Sequence, residues 1–459
     1  MHDPTGRPGP SEACEVALCT SLLERIEAAE RSIDFAIYGL RGQPEILRAL
    51  KAAKARGVVI RGVVDRDAAG KTYYDDTDAL VAAIGDVRDD SKVDAKAAAQ
   101  AAKDAERAAR AGEGAREPGC PRPEGFDGFV QCLTYDLGDR CIVAAHASRE
   151  ELEGGSAIMH DKFFVFDGRW VWTGSTNVSD AGVGGYNANL VTLVDSRQVA
   201  EAYTREFEQM HAGRFHTTKR SAGVTTVALG DATVDVLFSP QDRPISSGVR
   251  PLLRRAKRRI DVAVFFLTNK LITRDLIDAH RRGVEVRVIL DATAATNGYT
   301  KHELLRAAGI PLKIENWGGK MHMKSAAIDG EHVITGSMNW TSAGEYDNDE
   351  NTIIIHSKAH AAQYHAAFDG MWANLDDRWL QGRPDPESKD STTACSDGSD
   401  NDFDRLKDAD DPGCGAEPPP LAPLPPYRVV DKAGDVTCSF DALRASGWGE
   451  SNPDGSAKP

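Results

Sequence analysis

Two short stretches of this chain place the same chemistry-bearing side chains at the same intervals. The first reads His160-Asp-Lys162-Phe-Phe-Val-Phe-Asp167 and is followed by Gly174-Ser175-Thr-Asn177. The second reads His322-Met-Lys324-Ser-Ala-Ala-Ile-Asp329 and is followed by Gly336-Ser337-Met-Asn339. Histidine and asparagine are 17 residues apart in both. On a strand, residues two apart point to one face, so His160 and Lys162 project together, as do His322 and Lys324. The residues between lysine and aspartate are mostly apolar and suit a buried strand, and each Gly-Ser-x-Asn segment offers short hydrogen-bonding groups at a tight turn. Two such copies facing each other gather two imidazoles, two ammonium groups and two carboxamides around one point. That set suits a phosphoryl group developing charge in a trigonal-bipyramidal transition state. One copy alone would be a weak signal; two copies, each followed by Gly-Ser-x-Asn at one fixed distance, remove coincidence.

The elements that must position these groups are duplicated as well. One copy opens with Arg-Ser-Ile33-Asp34-Phe-Ala-Ile-Tyr38 and reaches Arg56-Gly57 and a β-branched run ending in Asp65. The other opens with Arg-Arg-Ile260-Asp261-Val-Ala-Val-Phe265 and reaches Arg282-Gly283 and a similar run ending in Asp291. Each reads as strand, amphipathic helix, glycine turn and strand, a βαβ unit that implies a parallel or mixed sheet with helices on its faces. Further strands are expected at 163–166 and 170–173, and at 325–328 and 333–335, with closing helices near 200–211 and 359–372. The expected fold class is α/β: two internally repeated α-β-α sandwich halves, 12–218 and 230–380, forming one pseudo-dimeric unit, with an irregular acidic tail over 385–459. Between second strand and histidine the first copy is longer by about 64 residues, which places an insert at about 90–155. A helix-forming Ala/Lys/Asp/Glu run at 93–111 fits a surface excursion; a lid or substrate-selecting flap is the alternative.

The duplicated His-x-Lys-x4-Asp signature with its Gly-Ser-x-Asn followers resembles the phospholipase D superfamily over roughly residues 15–375. The resemblance implies a two-step phosphodiesterase that needs no catalytic metal or cofactor, acts as a monomer and passes through a phosphohistidine. It implies that Lys162, Lys324, Asn177 and Asn339 hold the non-bridging oxygens, with Ser175 and Ser337 as further candidates, and that Asp167 and Asp329 fix the motif strands. Eleven residues beyond Asn339 stands Glu350, whereas the same offset from Asn177 gives Ala188. In the family an acid at this place buttresses the histidine of the other half, so Glu350 is expected to orient His160. His160 then becomes the nucleophile, and His322, lacking such a partner, the general acid and base. The bond type follows from the resemblance more firmly than the substrate does. Phospholipid head groups at a membrane surface are the leading substrate. A nuclease is the alternative, since the opening of the first copy also resembles small bacterial nucleases of the superfamily. The basic run from Arg254 to Arg259 would favour nucleic acid if free, but it abuts a strand entrance and reads better as a solvated helix end. A third reading is a non-catalytic secreted calcium-binding surface protein.

Charge and cysteines bear on location and on the tail. Residues 385–459 hold 7 basic and 16 acidic residues and so account for −9 of the net −15, which leaves room for a locally positive cleft in the main body. Asp400, Asp402, Asp404 and Asp408 lie between Cys395 and Cys414, a spacing like that of Asp-rich calcium repeats, although Arg405 stands where such loops usually carry glycine. A structural calcium is one expectation here and a disordered acidic linker the other. The 8 cysteines fall mostly in loops and tails and point to disulfides. With the calcium-like loop they favour a secreted or periplasmic protein, although no signal peptide is visible. No window approaches eighteen consecutive apolar residues.

Overall fold

The computed structural model describes residues 1–91, 157–296, 300–391, 393–402 and 404–415, and the backbone of four short strands at 130–135, 141–146, 427–430 and 436–437. The first half runs α1 (Ala17–Ala28), β1 (Ser32–Ile37), α2 (Pro44–Ala55), β2 (Val59–Val64), α3 (Thr77–Ile84), β3 (Val87–Asp89), β4 (Phe163–Phe166), β5 (Trp170–Gly174), β6 (Val191–Asp195) and α4 (Arg197–His211). The second runs β7 (Thr225–Leu229), β8 (Ala232–Ser239), β9 (Arg259–Val264), α5 (Lys270–Arg281), β10 (Glu285–Leu290), β11 (Leu312–Ile314), β12 (Lys324–Ile328), β13 (His332–Gly336), β14 (Glu350–His356) and α6 (Lys358–Asn374), with shorter helices between.

Local chemistry explains the elements. Helix α2 starts with Pro44, whose missing N–H costs nothing in a first turn, and buries Ile46, Ala49, Leu50 and Ala53 at helical spacing. Asn269 caps α5 by accepting the amides of Leu271 and Ile272. Strands β1 and β9 are buried on both faces apart from their first residues, as central strands of a covered sheet must be. Each carries one buried carboxylate, and the neighbouring parallel strand answers it. Arg61 donates to both oxygens of Asp34 (2.8 and 2.8 Å), and Arg287 to both of Asp261 (3.0 and 3.2 Å).

The six-stranded first sheet has the order β6-β5-β4-β1-β2-β3, and the eight-stranded second sheet β7-β8-β14-β13-β12-β9-β10-β11. Both are mixed: β1 is parallel to β2 and antiparallel to β4, just as β9 is parallel to β10 and antiparallel to β12. Each half buries its own outer core. A third core takes Phe163 and Phe207 from the first half and Met321, Ile353 and Phe368 from the second, so the halves share an apolar interface.

Two features depart from the expected plan. The hairpin β7–β8 has no counterpart among the described residues of the first half and pairs along β14, with Ser239 opposite Glu350. The strand carrying Glu350 is therefore interior, whereas β6 lies at a sheet edge. The start of the acidic tail is also no detached linker. Cys395 and Cys414 are disulfide-bonded, and the Asn401 side chain donates to the Gly318 carbonyl of the second half. Most of the insert lies outside the described residues. Its strands at 130–135 and 141–146 pair with each other, and the second also pairs with 427–430 from the tail.

Candidate active site

His160 and His322 sit immediately before the sheet strands that carry Lys162 and Lys324 or lead out from them, and both imidazoles are mostly buried. The aspartates that end the two motifs point away. Asp167 accepts the backbone amides of Glu30, Arg31 and Ser32 (3.1, 2.7 and 2.9 Å), and Asp329 those of Lys257, Arg258 and Arg259. Each carboxylate thus ties the end of one motif strand to the entrance of the neighbouring central strand. The Arg254–Arg259 run is used the same way. Arg254 pairs with Asp275, and Arg259 with Asp261 and Asp369.

The glycines of both Gly-Ser-x-Asn segments permit the next approach. A Cβ on Gly174 would lie 2.1 Å from the Leu190 carbonyl oxygen, and one on Gly336 2.2 Å from that of Asn351. The turn can therefore press against the strand that follows it. Ser175 donates its hydroxyl to Asn189 Oδ1 (2.7 Å) and accepts the Leu190 amide, while Ser337 accepts the Asn351 amide (3.0 Å). The serine hydroxyls thus brace this turn. Asn177 and Asn339 each keep a buried Oδ1 with no hydrogen bond among the described residues, so both carboxamides remain uncommitted.

The two halves hold each other's histidines. Nδ1 of His160 lies 2.9 and 2.8 Å from the two carboxylate oxygens of Glu350. Nδ1 of His322 lies 3.0 Å from the Ser175 carbonyl oxygen and 3.3 Å from Asn189 Oδ1. His322 thus faces neutral partners where His160 faces an acid. The reason is one extra residue in the first-half loop. The backbone bonds of Asp349 to residues 158 and 160 are repeated by Ala188 to residues 320 and 322. Hence Ala188 is the counterpart of Asp349, and Asn189, not Ala188, is the counterpart of Glu350. In both rings Nδ1 faces oxygen acceptors, which fixes the tautomer and leaves Nε2 with the lone pair.

Each lysine Nζ donates back to its own motif, Lys162 to the His160 carbonyl (2.8 Å) and Lys324 to that of His322 (2.9 Å). Two aromatic residues that sequence reasoning used only to mark strand ends line the site. Tyr38 packs edge-on against His160 with ring centroids 5.5 Å apart, and Phe265 lies 5.1 Å from His322. Each ring also stands under the lysine of its half. Their repeated position one residue past β1 and β9 was the signal available.

Burial, then the fields of Lys162 and Lys324, hold His160 well below the ordinary imidazole range. Burial does the same to His322, followed by Lys324, Lys162 and His160 itself. That both lysines act on both rings, and one ring on the other, places all four groups in one shared field. Burial lowers Lys162 to about 8 and takes Lys324 well below its usual range, Lys162 adding to the effect. Burial also raises Glu350 to about 8 against the pull of Lys162. The resting site therefore sets a neutral imidazole against a carboxyl that burial makes more basic than usual.

The tail holds a separate cluster. Carboxylate oxygens of Glu387, Asp400 and Asp402, and those of Asp402, Asp404 and Asp411, lie within 4.8 Å of one another. An all-carboxylate donor set fits a hard cation such as calcium. Asp408 belongs to neither group, since its carboxylate accepts the Gly398 amide, and Glu387 and Asp411 complete the sets instead. Arg405 adopts φ 81°, the left-handed conformation a glycine would supply, so the loop keeps its turn without one.

A family model described as "Cardiolipin synthase, PLD-like domain" matches residues 22–116, 131–211 and 249–372. The mitochondrial cardiolipin hydrolase of Xenopus tropicalis is 33% identical over 138 residues, 30% of this chain and 66% of that protein. A phospholipase D of Rickettsia felis is 38% identical over 110 residues, 24% of this chain and 55% of that protein. The chain thus spans about two thirds or less of these relatives. The crystal structure of a phosphatidylserine synthase from Haemophilus influenzae aligns over 78% of this chain and 84% of its own, with 12% identity and a TM-score of 0.49.

Proposed function

We propose, from the premise that this chain belongs to the phospholipase D superfamily, that it is a phosphodiesterase whose two half-sites act on one phosphorus atom through a phosphohistidine. The observation that carries the reading is the crossed support of the two imidazoles, each held at Nδ1 by the opposite half. Such support has no structural need to be mutual. It leaves Nε2 of both rings for the substrate, within reach of the fields of both lysines.

In the first step Nε2 of His160 attacks phosphorus. Positive charge builds on the ring, and Glu350, made basic by burial, stabilises it through Nδ1. His322, which takes up a proton at Nε2 from solvent when the phosphate binds, gives it to the departing alkoxide. Its low affinity for that proton comes from burial and from the two lysines, and a bound phosphate anion cancels the lysines' field and restores it. In the second step His322 takes a proton from water, or from an acceptor alcohol, which displaces His160. Lys162, Lys324, Asn177 and Asn339 hold the non-bridging oxygens throughout. Phosphorus is attacked twice and keeps its configuration. No metal or cofactor is required by this scheme.

Phospholipid head groups are the proposed substrates, with hydrolysis ahead of transfer. The names of the cardiolipin hydrolase and phospholipase D relatives support this. Because both half-sites lie on one chain, a monomer suffices. Among the described residues no helix is long and apolar enough to cross a membrane. The disulfides Cys14–Cys19 and Cys395–Cys414 support a secreted or periplasmic location, and the tail cluster is read as a structural calcium site. Turnover of a chromogenic phosphodiester in EDTA, lost in both His160→Ala and His322→Ala, tests the chemistry. Parallel assays on phosphatidylcholine and cardiolipin vesicles and on single-stranded DNA test the substrate. Cleavage of DNA alone would replace the lipid reading by the nuclease one.

A further inference from the structure

The densest set of buried charge outside the reacting groups lies directly behind His160. The Asp349 carboxylate accepts the backbone amide of His216 (2.7 Å) and pairs with the His216 ring (3.0 Å) and with Lys219 Nζ (2.7 Å). The far side of the ring pairs with Asp90 (3.3 Å), and Lys219 also meets Glu206. His216 and Lys219 both belong to the segment that runs from α4 to β7 and so joins the two halves. Asp349 in turn brackets the reacting histidine. Its amide donates to the Ile158 carbonyl (3.1 Å), its carbonyl accepts the His160 amide (2.9 Å), and the next residue is Glu350. Its counterpart Ala188 makes the same two backbone bonds to Lys320 and His322 and has no carboxylate.

We infer that His216 and Lys219 are positioning residues: through Asp349 the inter-half segment holds Glu350 and His160 in register, and so selects the first-half imidazole for attack. The inference rests on the phosphodiesterase reading and adds to it the source of the asymmetry between two nearly identical half-sites. A buried carboxylate gripped by two cations cannot shift without leaving charge unpaired away from water, and that makes the anchor stiff. Burial by itself would lower His216, but Asp349 and Asp90 outweigh it and push the ring up to about 9, so it is a cation at neutral pH. Burial would likewise raise Asp349, yet Lys219 and His216 hold it down at about 2. Ala188 gives His322 the same backbone contact without a carboxylate to anchor it. Misplacement of an attacking atom by about 1 Å is enough to cost roughly 10²-fold in rate.

The test uses the full chain, bis(p-nitrophenyl) phosphate in EDTA, and nitrogen NMR of the histidine rings. His216→Gln removes the charge and keeps a donor. It should lower kcat by roughly 10²-fold with KM changed by less than about twofold, and mix the His160 tautomers while leaving the His322 signals in place. Lys219→Met should do the same, and Lys219→Arg should restore both readouts. If His216→Gln does not fold, the Lys219→Met and Lys219→Arg pair carries the test. Folded variants with wild-type kcat and an unchanged His160 tautomer would overturn the inference. If instead the wild-type chain itself gives no turnover, the phosphodiesterase reading is what fails.

Discussion

Glu350→Gln isolates the electrostatic part of the attack. The carboxylate lies 2.8 Å from Nδ1 of His160, and both groups are almost wholly buried. With charge centres roughly 4 Å apart and an effective dielectric near about 20, a carboxylate stabilises the imidazolium formed on attack by about 4 kcal/mol. The amide keeps a neutral hydrogen bond of about 1 kcal/mol. The net loss of about 3 kcal/mol corresponds to a fall in kcat of roughly 10²-fold. KM should hold within about twofold, because the lost charge acts only when the ring becomes positive. Rapid-quench measurement with a chromogenic diester in EDTA gives the step affected: both the burst and the steady-state rate should slow, since Glu350 stabilises the transition states on either side of the phosphohistidine. A variant with kcat within about threefold of wild type, or a loss carried entirely by KM, would refute the assignment of His160 as nucleophile.

Further outcomes follow from the same geometry. Lys162→Met and Lys324→Met should each lower kcat/KM by more than about tenfold, and should raise the apparent pKa of the remaining imidazoles by removing a neighbouring positive charge; the pH–rate profile checks this. Asn189→Asp, which gives His322 the kind of partner His160 has, should move the limb of that profile governed by His322 to higher pH. His216 bears on stability with a definite sign. Its folded pKa, about 9, lies above the ordinary 6.5, so its contribution is complete below the lower value and is lost as pH rises through the upper. The difference is worth about 3 kcal/mol, so wild-type Tm should fall more steeply than that of His216→Gln between neutral pH and mildly alkaline pH. Calcium at about 100 times its Kd should stabilise the tail by about 2.7 kcal/mol. A thermal shift that is reversed by EDTA and absent in Asp402→Asn is the expected result, and equal Tm values with and without calcium would remove the site.

What could be read from sequence was local. Alternation on a strand puts His160 beside Lys162 and His322 beside Lys324 whatever surrounds them, and the repeat of Ile-Asp and Arg-Gly at matching places marks two βαβ units. That Asp167 fixes its strand came from the family resemblance, and its partners at residues 30–32 were beyond local geometry because they lie far away in sequence. The hairpin β7–β8 was not legible, because short alternating runs at 225–239 carry no duplicated partner to flag them.

Residue types and intervals therefore determined the reacting groups and the bond they suit. The resemblance already pointed to Glu350 as the partner of His160, and the tertiary structure alone supplied the neutral contacts of His322 and the anchor behind Asp349. Glu350 reaches His160 across 190 residues. One additional residue in the first-half loop brings Asn189 rather than an acid to His322, and Asp349 is gripped from the segment between the halves. Contacts of that kind depend on which side chains packing buries together, and the strength of a charge depends on how much water packing removes. Neither is a property of any short stretch of chain.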